Sequence, residues 1–283
     1  MAIILDGKLV ATKVKENVDL EVEKLKSKNI NVCLAVILVG YDPASQVYVK
    51  NKKRACEEVG IISKEYILSK DASQETLLEL IHNLNNDDSV HGILVQLPLP
   101  DGFYESEIIK AISPEKDVDA FSPVNVGRIM LNNHKFLPCT PAGIMEILKY
   151  YNIEVAGKEC VVIGRSTIVG KPMSMLLLHA DGTVTIAHSK TKNLKEIASK
   201  ADILVAAVGK PKFVTADMVK EGAVVIDVGI NRVDGKLCGD VDFDDVIDKV
   251  SAITPVPGGV GPMTIAMLMK NTVAAAKSKN KLY

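Results

Sequence analysis

Hydrophobic positions fall along this chain in two rhythms. Val32 to Val39 and Gly92 to Leu97 are short continuous apolar runs rich in Val, Ile and Leu, the mark of strands buried on both faces. Between and around them the pattern is amphipathic. Ala44 to Val59 reads as a helix that stops at Gly60, a favoured residue just past a helix end. Glu65 to Leu68 predicts a short strand. Ser73 is placed to cap a helix, with Glu75 in its first turn and Leu77, Leu78, Ile81 and Leu84 along one face. Pro98 and Pro100 cannot continue a central strand, so they end the run that begins at Gly92. Strand, helix, strand, helix, strand in this order predicts parallel βαβ connections.

The stretch from Asp101 to Pro141 is less regular and holds Pro114, Pro123, Pro138 and Pro141; a hinge between two domains is expected near its end. Pro141 to Tyr150 then reads as helical. A second set of strands follows at Cys160 to Ile163, Thr183 to Ala187, Ile203 to Val208 and Val224 to Val228, which predicts a doubly wound sheet of the nucleotide-binding type. Ile265 to Lys279 predicts a last helix, frayed at its Lys-rich end.

Composition narrows the function. With 283 residues, about two domains are expected. Lys and Arg number 34 against 35 Asp and Glu, a balance that argues against a binder of nucleic acid relying on a basic surface. Five scattered cysteines form no C-x-x-C pair and no disulfide framework, which fits a reducing cytoplasm. The five histidines lack ligand spacing, so no metal is expected. Asp6 breaks the first apolar run, so no signal peptide is expected, and the long uncharged stretch from Ala252 to Met269 carries too many Pro and Gly for a membrane span.

Five segments carry candidate chemistry. In the first, the strand ending at Ile163 runs into Gly164-Arg165-Ser166 and, through Gly170, into a helix start. Backbone N–H groups at such a place suit a pyrophosphate, although Ser166 stands where a second glycine usually lies; a tight turn without a ligand is the plain alternative. The next strand ends near Ala187, where an enzyme using NAD places a carboxylate for the ribose hydroxyl. Here the chain reads His188-Ser189-Lys190-Thr191-Lys192. With Arg165, that chemistry favours a 2′-phosphate, hence NADP; a solvated basic loop is the other reading.

In the second segment Ser45, Tyr48 and Lys52 are spaced to share one helical face. Tyr48 can stack on a flat ligand and Lys52 can move a proton if its amine is perturbed, unless Lys52 is simply solvated on a basic helix. In the third, Gln96 ends a parallel strand, where open α/β sheets place ligands, or is a polar strand end satisfied by backbone. In the fourth, Lys116-Asp117-Val118-Asp119 offers carboxylates able to hold a flat pair of N–H groups, or to cap a turn. In the fifth, Pro255 to Thr264, rich in Pro and Gly, can bring backbone close to a ligand or serve only as a connection.

Together and in this order, these segments resemble the bifunctional methylenetetrahydrofolate dehydrogenase/cyclohydrolase family across essentially the whole chain. The resemblance implies an α/β protein of two domains: an N-terminal folate-binding catalytic domain over 1–140 plus 266–283, and a Rossmann-like NADP-binding domain over 141–265. It implies Lys52 as the central catalytic residue, Gln96 as its hydrogen-bonding partner and Tyr48 stacked on the folate. Asp119 holds the pterin edge, and Ser45 and Thr264 line the substrate. Gly164, Arg165, Ser166, Ser189 and Ile230 bind the dinucleotide, with Arg165 and Ser189 at the 2′-phosphate. Ala120 stands where family members usually carry glycine. A homodimer in the cytoplasm is implied as well. The alternatives are another two-domain NADP dehydrogenase, of shikimate dehydrogenase type, and a folate- or dinucleotide-binding protein without catalysis.

Overall fold

A computed structural model describes residues 2–282, apart from the side chains of Pro43 and Ala44. In chain order its elements are β1 (Ile3–Ile4), α1 (Gly7–Lys26), β2 (Cys33–Val39), α2 (Pro43–Glu58), β3 (Ile62–Leu68), α3 (Gln74–Asn86), β4 (Gly92–Val95), α4 (Glu105–Ala111), α5 (Pro123–Met130), α6 (Cys139–Tyr150), β5 (Glu159–Ile163), α7 (Gly170–His179), β6 (Thr183–Ala187), α8 (Leu194–Ala198), β7 (Ile203–Ala206), β8 (Val224–Asp227), β9 (Asn231–Val233), β10 (Lys236–Cys238), α9 (Phe243–Val246), β11 (Ala252–Ile253) and α10 (Val260–Lys279).

The chain divides into two compact units. One holds residues 13–137 and 265–283, the other residues 1–12 and 138–264. The first contains a parallel three-stranded sheet in the order β3-β2-β4. β2 lies at its centre and all seven of its residues are buried, which is why its sequence shows no alternation. Its core joins Ala35, Ile37 and Val39 to Leu77, Ile81 and Leu84 of α3 and to Ile93 and Ile108. The second unit contains a six-stranded sheet in the order β1-β11-β8-β7-β5-β6, parallel throughout. β5 lies between β6 and β7, so the strand order reverses there and opens a crevice beyond the carboxyl ends of β5 and β7.

The structure departs from the sequence-based elements in instructive places. β3 is longer than the expected Glu65 to Leu68, because Ile62 also pairs with Cys33. β4 stops at Val95, but the Gln96 N–H still donates to Ile37 O (2.9 Å), so Gln96 sits at the strand's exit. α1 is not among the predicted elements, yet Val10, Val14, Val18, Val22 and Leu25 form a buried helical stripe along it. The hairpin β9–β10 was also missed; Asp234 and Gly235 both have positive φ (49° and 76°), the geometry of a two-residue hairpin turn. The last helix starts at Val260, inside the Pro- and Gly-rich segment, and its end is not frayed. Lys277 pairs with Glu21, and Lys279 with Asp88 (2.7 Å). Residues 1–12 group with the second unit rather than with 13–137, since β1 pairs with β11.

Among the described residues no helix is long and apolar enough to cross a membrane, and no group of His, Cys, Asp or Glu is placed to hold a metal ion.

Candidate active site

Asp42 caps α2, accepting from the Ser45 N–H (2.7 Å), with Pro43 in the first turn. The buried stripe of this helix runs Ser45, Val49, Lys52, Ala55, Cys56, Val59. Lys52 is the only charged member of that stripe, and the residue is only 9% exposed. Its Nζ donates to Gln96 Oε1 (2.9 Å), while Gln96 Nε2 donates to Leu97 O (2.6 Å). The amide is therefore held at both ends, and its carbonyl fixes one direction of the amine. A helical side chain leans toward the N-terminus, so Lys52 lies over the turn that carries Tyr48. Tyr48 itself is 43% exposed, an aromatic face left open beside a buried amine.

The two carboxylates of the Lys116–Asp119 segment do different things. Asp117 is buried and accepts from the Ser122 N–H (2.8 Å), the Phe121 N–H (3.3 Å) and Asn125 Nδ2 (2.9 Å), so it braces the start of α5. Lys116 Nζ donates to the carbonyls of Leu84 and Asp87 (2.8 and 2.7 Å) at the end of α3. Asp119 is half-buried. Ile93 faces Asp117 in parallel, which carries Asp119 toward the end of β4 where Gln96 stands. Ala120 is buried with φ 58°, in the left-handed region that favours glycine; alanine pays about 1 kcal/mol to stay there.

The first unit thus brings Ser45, Tyr48, Lys52, Gln96 and Asp119 into one fold, with Lys52 and Gln96 in contact. The remaining predicted residues belong to the other unit. Gly164 has φ 142°, and a Cβ there would lie 2.3 Å from Ala207 O; one at Gly170 would lie 2.3 Å from Gly164 O. Both glycines are thus required by backbone packed against backbone. Ser166 Oγ accepts from the N–H groups of Val169 and Gly170 (both 3.2 Å), so the serine in the second-glycine position closes the turn that leads into α7. The Gly164 N–H donates to Ala187 O (2.9 Å), which sets the turn after β5 beside the loop after β6. That loop is folded on itself by the His188 N–H on Thr191 Oγ1 (2.8 Å) and the Thr191 N–H on His188 O (2.8 Å). Arg165 and Ser189 are both exposed on these adjoining turns, with Lys190 and Lys192 exposed nearby. Thr264 Oγ1 meets Thr140 Oγ1 (3.2 Å), and Ile230 is half-exposed near Gly261.

Sequence reasoning missed two buried aspartates in this unit. Asp227 ends β8 and accepts from the N–H groups of Gly229, Asp240 and Val241 (2.9, 2.8 and 2.9 Å). Burial pushes its carboxyl up to about 6 against those three donors. Asp240 is fully buried and accepts backbone N–H groups as well. The available signal was a glycine two residues after Asp227 and one directly before Asp240, because each of those glycines leaves room for the other aspartate's carboxylate.

Comparison with known proteins bears on both units. The tetrahydrofolate dehydrogenase/cyclohydrolase catalytic domain matches residues 5–119, and the NAD(P)-binding domain of the same family matches residues 138–280. The bifunctional protein FolD of Acetivibrio thermocellus is 62% identical over 280 residues, covering 99% of this chain and 98% of that protein. The crystal structure of the FolD dehydrogenase/cyclohydrolase from Campylobacter jejuni is 54% identical, covers 98% of this chain and 99% of that one, and superposes with a TM-score of 0.97. The Trypanosoma brucei enzyme, solved with NADP and an inhibitor, is 38% identical, covers 99% of each chain and gives 0.94. Two matching domain models in the right order, and relatives this similar over nearly full length, show that the chain belongs to the tetrahydrofolate dehydrogenase/cyclohydrolase family.

Proposed function

We propose that this protein oxidises 5,10-methylenetetrahydrofolate to the 5,10-methenyl cation with NADP and then hydrolyses that cation to 10-formyltetrahydrofolate. The observation that carries the reading is the Lys52 amine, buried on the core face of α2 and held by Gln96 Oε1. Such an amine is costly to place in a core stripe without a task. Family membership does not favour the shikimate dehydrogenase alternative or a binding protein without catalysis.

The residues of the second unit fit the dinucleotide. The turn at Gly164 lets backbone approach closely, and Arg165 and Ser189 stand on adjoining turns whose loop after β6 has no carboxylate. Arg165 and Ser189 hold the 2′-phosphate, and Gly164, Ser166 and Ile230 line the rest. NADP supplies the acceptor for the hydride that leaves the one-carbon bridge. That step needs alignment above all. Tyr48 stacks on the folate ring, Asp119 accepts the flat N–H pair of the pterin edge, and Ser45 and Thr264 complete the substrate contacts. In the hydrolytic step Lys52 takes a proton from the water as its C–O bond to the methenyl carbon forms; that proton is returned to the ring nitrogen as the C–N bond opens, and the remaining hydroxyl proton leaves to solvent as the formyl C=O forms. Gln96 carries no charge; it fixes the direction of the amine. We place the enzyme in the cytoplasm as a homodimer, with a small folate as its partner and neither nucleic acid nor membrane.

The test follows both reactions in one preparation. Methylenetetrahydrofolate with NADP should produce NADPH, faster than the same mixture with NAD produces NADH, and added methenyltetrahydrofolate should be consumed without any dinucleotide. A folded protein that does neither overturns the assignment.

A further inference from the structure

The loop that follows β7 contains an anion-binding shape that the protein fills itself. Val208, Gly209 and Lys210 present three successive N–H groups, and Gly209 has φ 65°, so these groups converge as in the backbone nests that bind phosphate. The occupant is the Asp240 carboxylate. Its Oδ2 accepts from Val208 and Gly209 (2.6 and 2.9 Å), and its Oδ1 accepts from Lys210 and from Asn231 Nδ2 (2.9 Å each). Four donors compensate a charge that is fully buried.

Asp240 is held in turn. Its own N–H and that of Val241 donate to Asp227 (2.8 and 2.9 Å). Its carbonyl accepts from the Val214 N–H (2.9 Å), and the Lys212 N–H donates to Gly239 O (3.1 Å). The fit leaves no slack: a Cβ on Gly229 would lie 2.2 Å from Asp240 Oδ1, and one on Gly239 would lie 1.8 Å from Asp227 Oδ2. The loop so fixed begins at Ala207, whose carbonyl meets the backbone of Gly164. It is therefore the wall of the crevice that faces the turn after β5. Through Asn231 the same carboxylate reaches the residue beside Ile230.

We infer that Asp240 is a positioning residue for the dinucleotide, acting through the backbone of residues 208–210 and through Asn231. By filling the nest it also denies that loop to phosphate, so the dinucleotide phosphates are directed to the turn at Gly164 and the nicotinamide half lies along a wall of fixed shape. This rests on the NADP reading above.

Asp240→Asn replaces one acceptor oxygen by a donor that faces N–H groups. The expected result is a KM for NADP, and a dissociation constant for NADPH read by its fluorescence, both raised at least tenfold. The hydrolysis of methenyltetrahydrofolate without dinucleotide should stay within twofold. Asn231→Ala removes a single donor and should raise both constants three- to tenfold while leaving hydrolysis intact; it decides the matter if the first variant does not fold. NADPH binding within twofold of the parent in a folded single variant overturns the inference, as does hydrolysis falling in step with binding. A parent protein that binds no NADPH and reduces no NADP overturns the functional reading instead.

Discussion

The two units of this chain both rest on parallel sheets, yet they build their sites from different material. In the unit of residues 13–137 and 265–283 the chemistry lies in side chains: an amine on a core stripe, an amide at a strand exit, an aromatic ring left open. In the unit of residues 1–12 and 138–264 the exposed Arg165 and Ser189 stand on turns whose backbone does the shaping, set by glycines that touch other backbone and by carboxylates that fold loops. Side-chain sites fail when an atom is removed. Backbone sites fail when one is added.

The sharpest check of that contrast is Lys52→Met. It keeps the apolar stem and removes the amine, so hydrolysis of methenyltetrahydrofolate should fall by about 10² to 10⁴ while the thermal midpoint is kept or raised. Undiminished hydrolysis would break the comparison on its first side. On the other side, Gly164→Ala adds one methyl where φ is 142° and Ala207 O lies 2.3 Å away. The expected cost is about 3 kcal/mol of stability, read by urea denaturation, with NADPH binding lost.

The units should also tilt oppositely with pH. Burial, aided by Lys279 and Lys116, pushes His91 down to about 4, and its Nδ1 accepts the Cys33 N–H (3.2 Å). The unfolded histidine binds its proton more readily, so this group costs stability as pH falls from about 6.5 to about 4, by at most about 3 kcal/mol. Asp227 is raised to about 6, so it favours the fold at low pH and that advantage is lost as pH rises through 6. Hydrogen exchange at pH 4.5 and 6.5 should show β2 gaining protection with pH and β8 losing it. His91→Asn should abolish the first trend and leave the second. The smallest effect expected is for Ser166→Ala, which removes the acceptor for two N–H groups at the start of α7 and should cost about 1 kcal/mol in denaturant.

Much of this was legible in the chain. β2, β5 and β7 announced themselves because a strand buried on both faces has no polar alternation to blur it, whereas the two-residue strands β1 and β11 are too short to leave a pattern. The Lys52–Gln96 pair could be suspected from helix spacing and a strand end, but its contact spans 44 positions, which no local pattern encodes. The Lys116–Asp119 segment showed two carboxylates and could not say which one braced the fold, since that depends on Asn125 and Ser122 coming back to Asp117. The Asp227 and Asp240 network was invisible for the same reason. Helix α1 was the opposite case: its stripe of Val10, Val14, Val18, Val22 and Leu25 is present in the sequence at helical spacing.

The order in which the chain visits its units bears on how it is made. Residues 13–137 share their unit with 265–279 of the last helix, and β1 at the start of the chain has β11, near the end, as its sheet partner. As the polypeptide leaves the ribosome, neither body can be finished until residues 252–279 have been made. A nascent chain therefore carries two unfinished cores at once, and both are sealed by the same late stretch that holds β11 and α10.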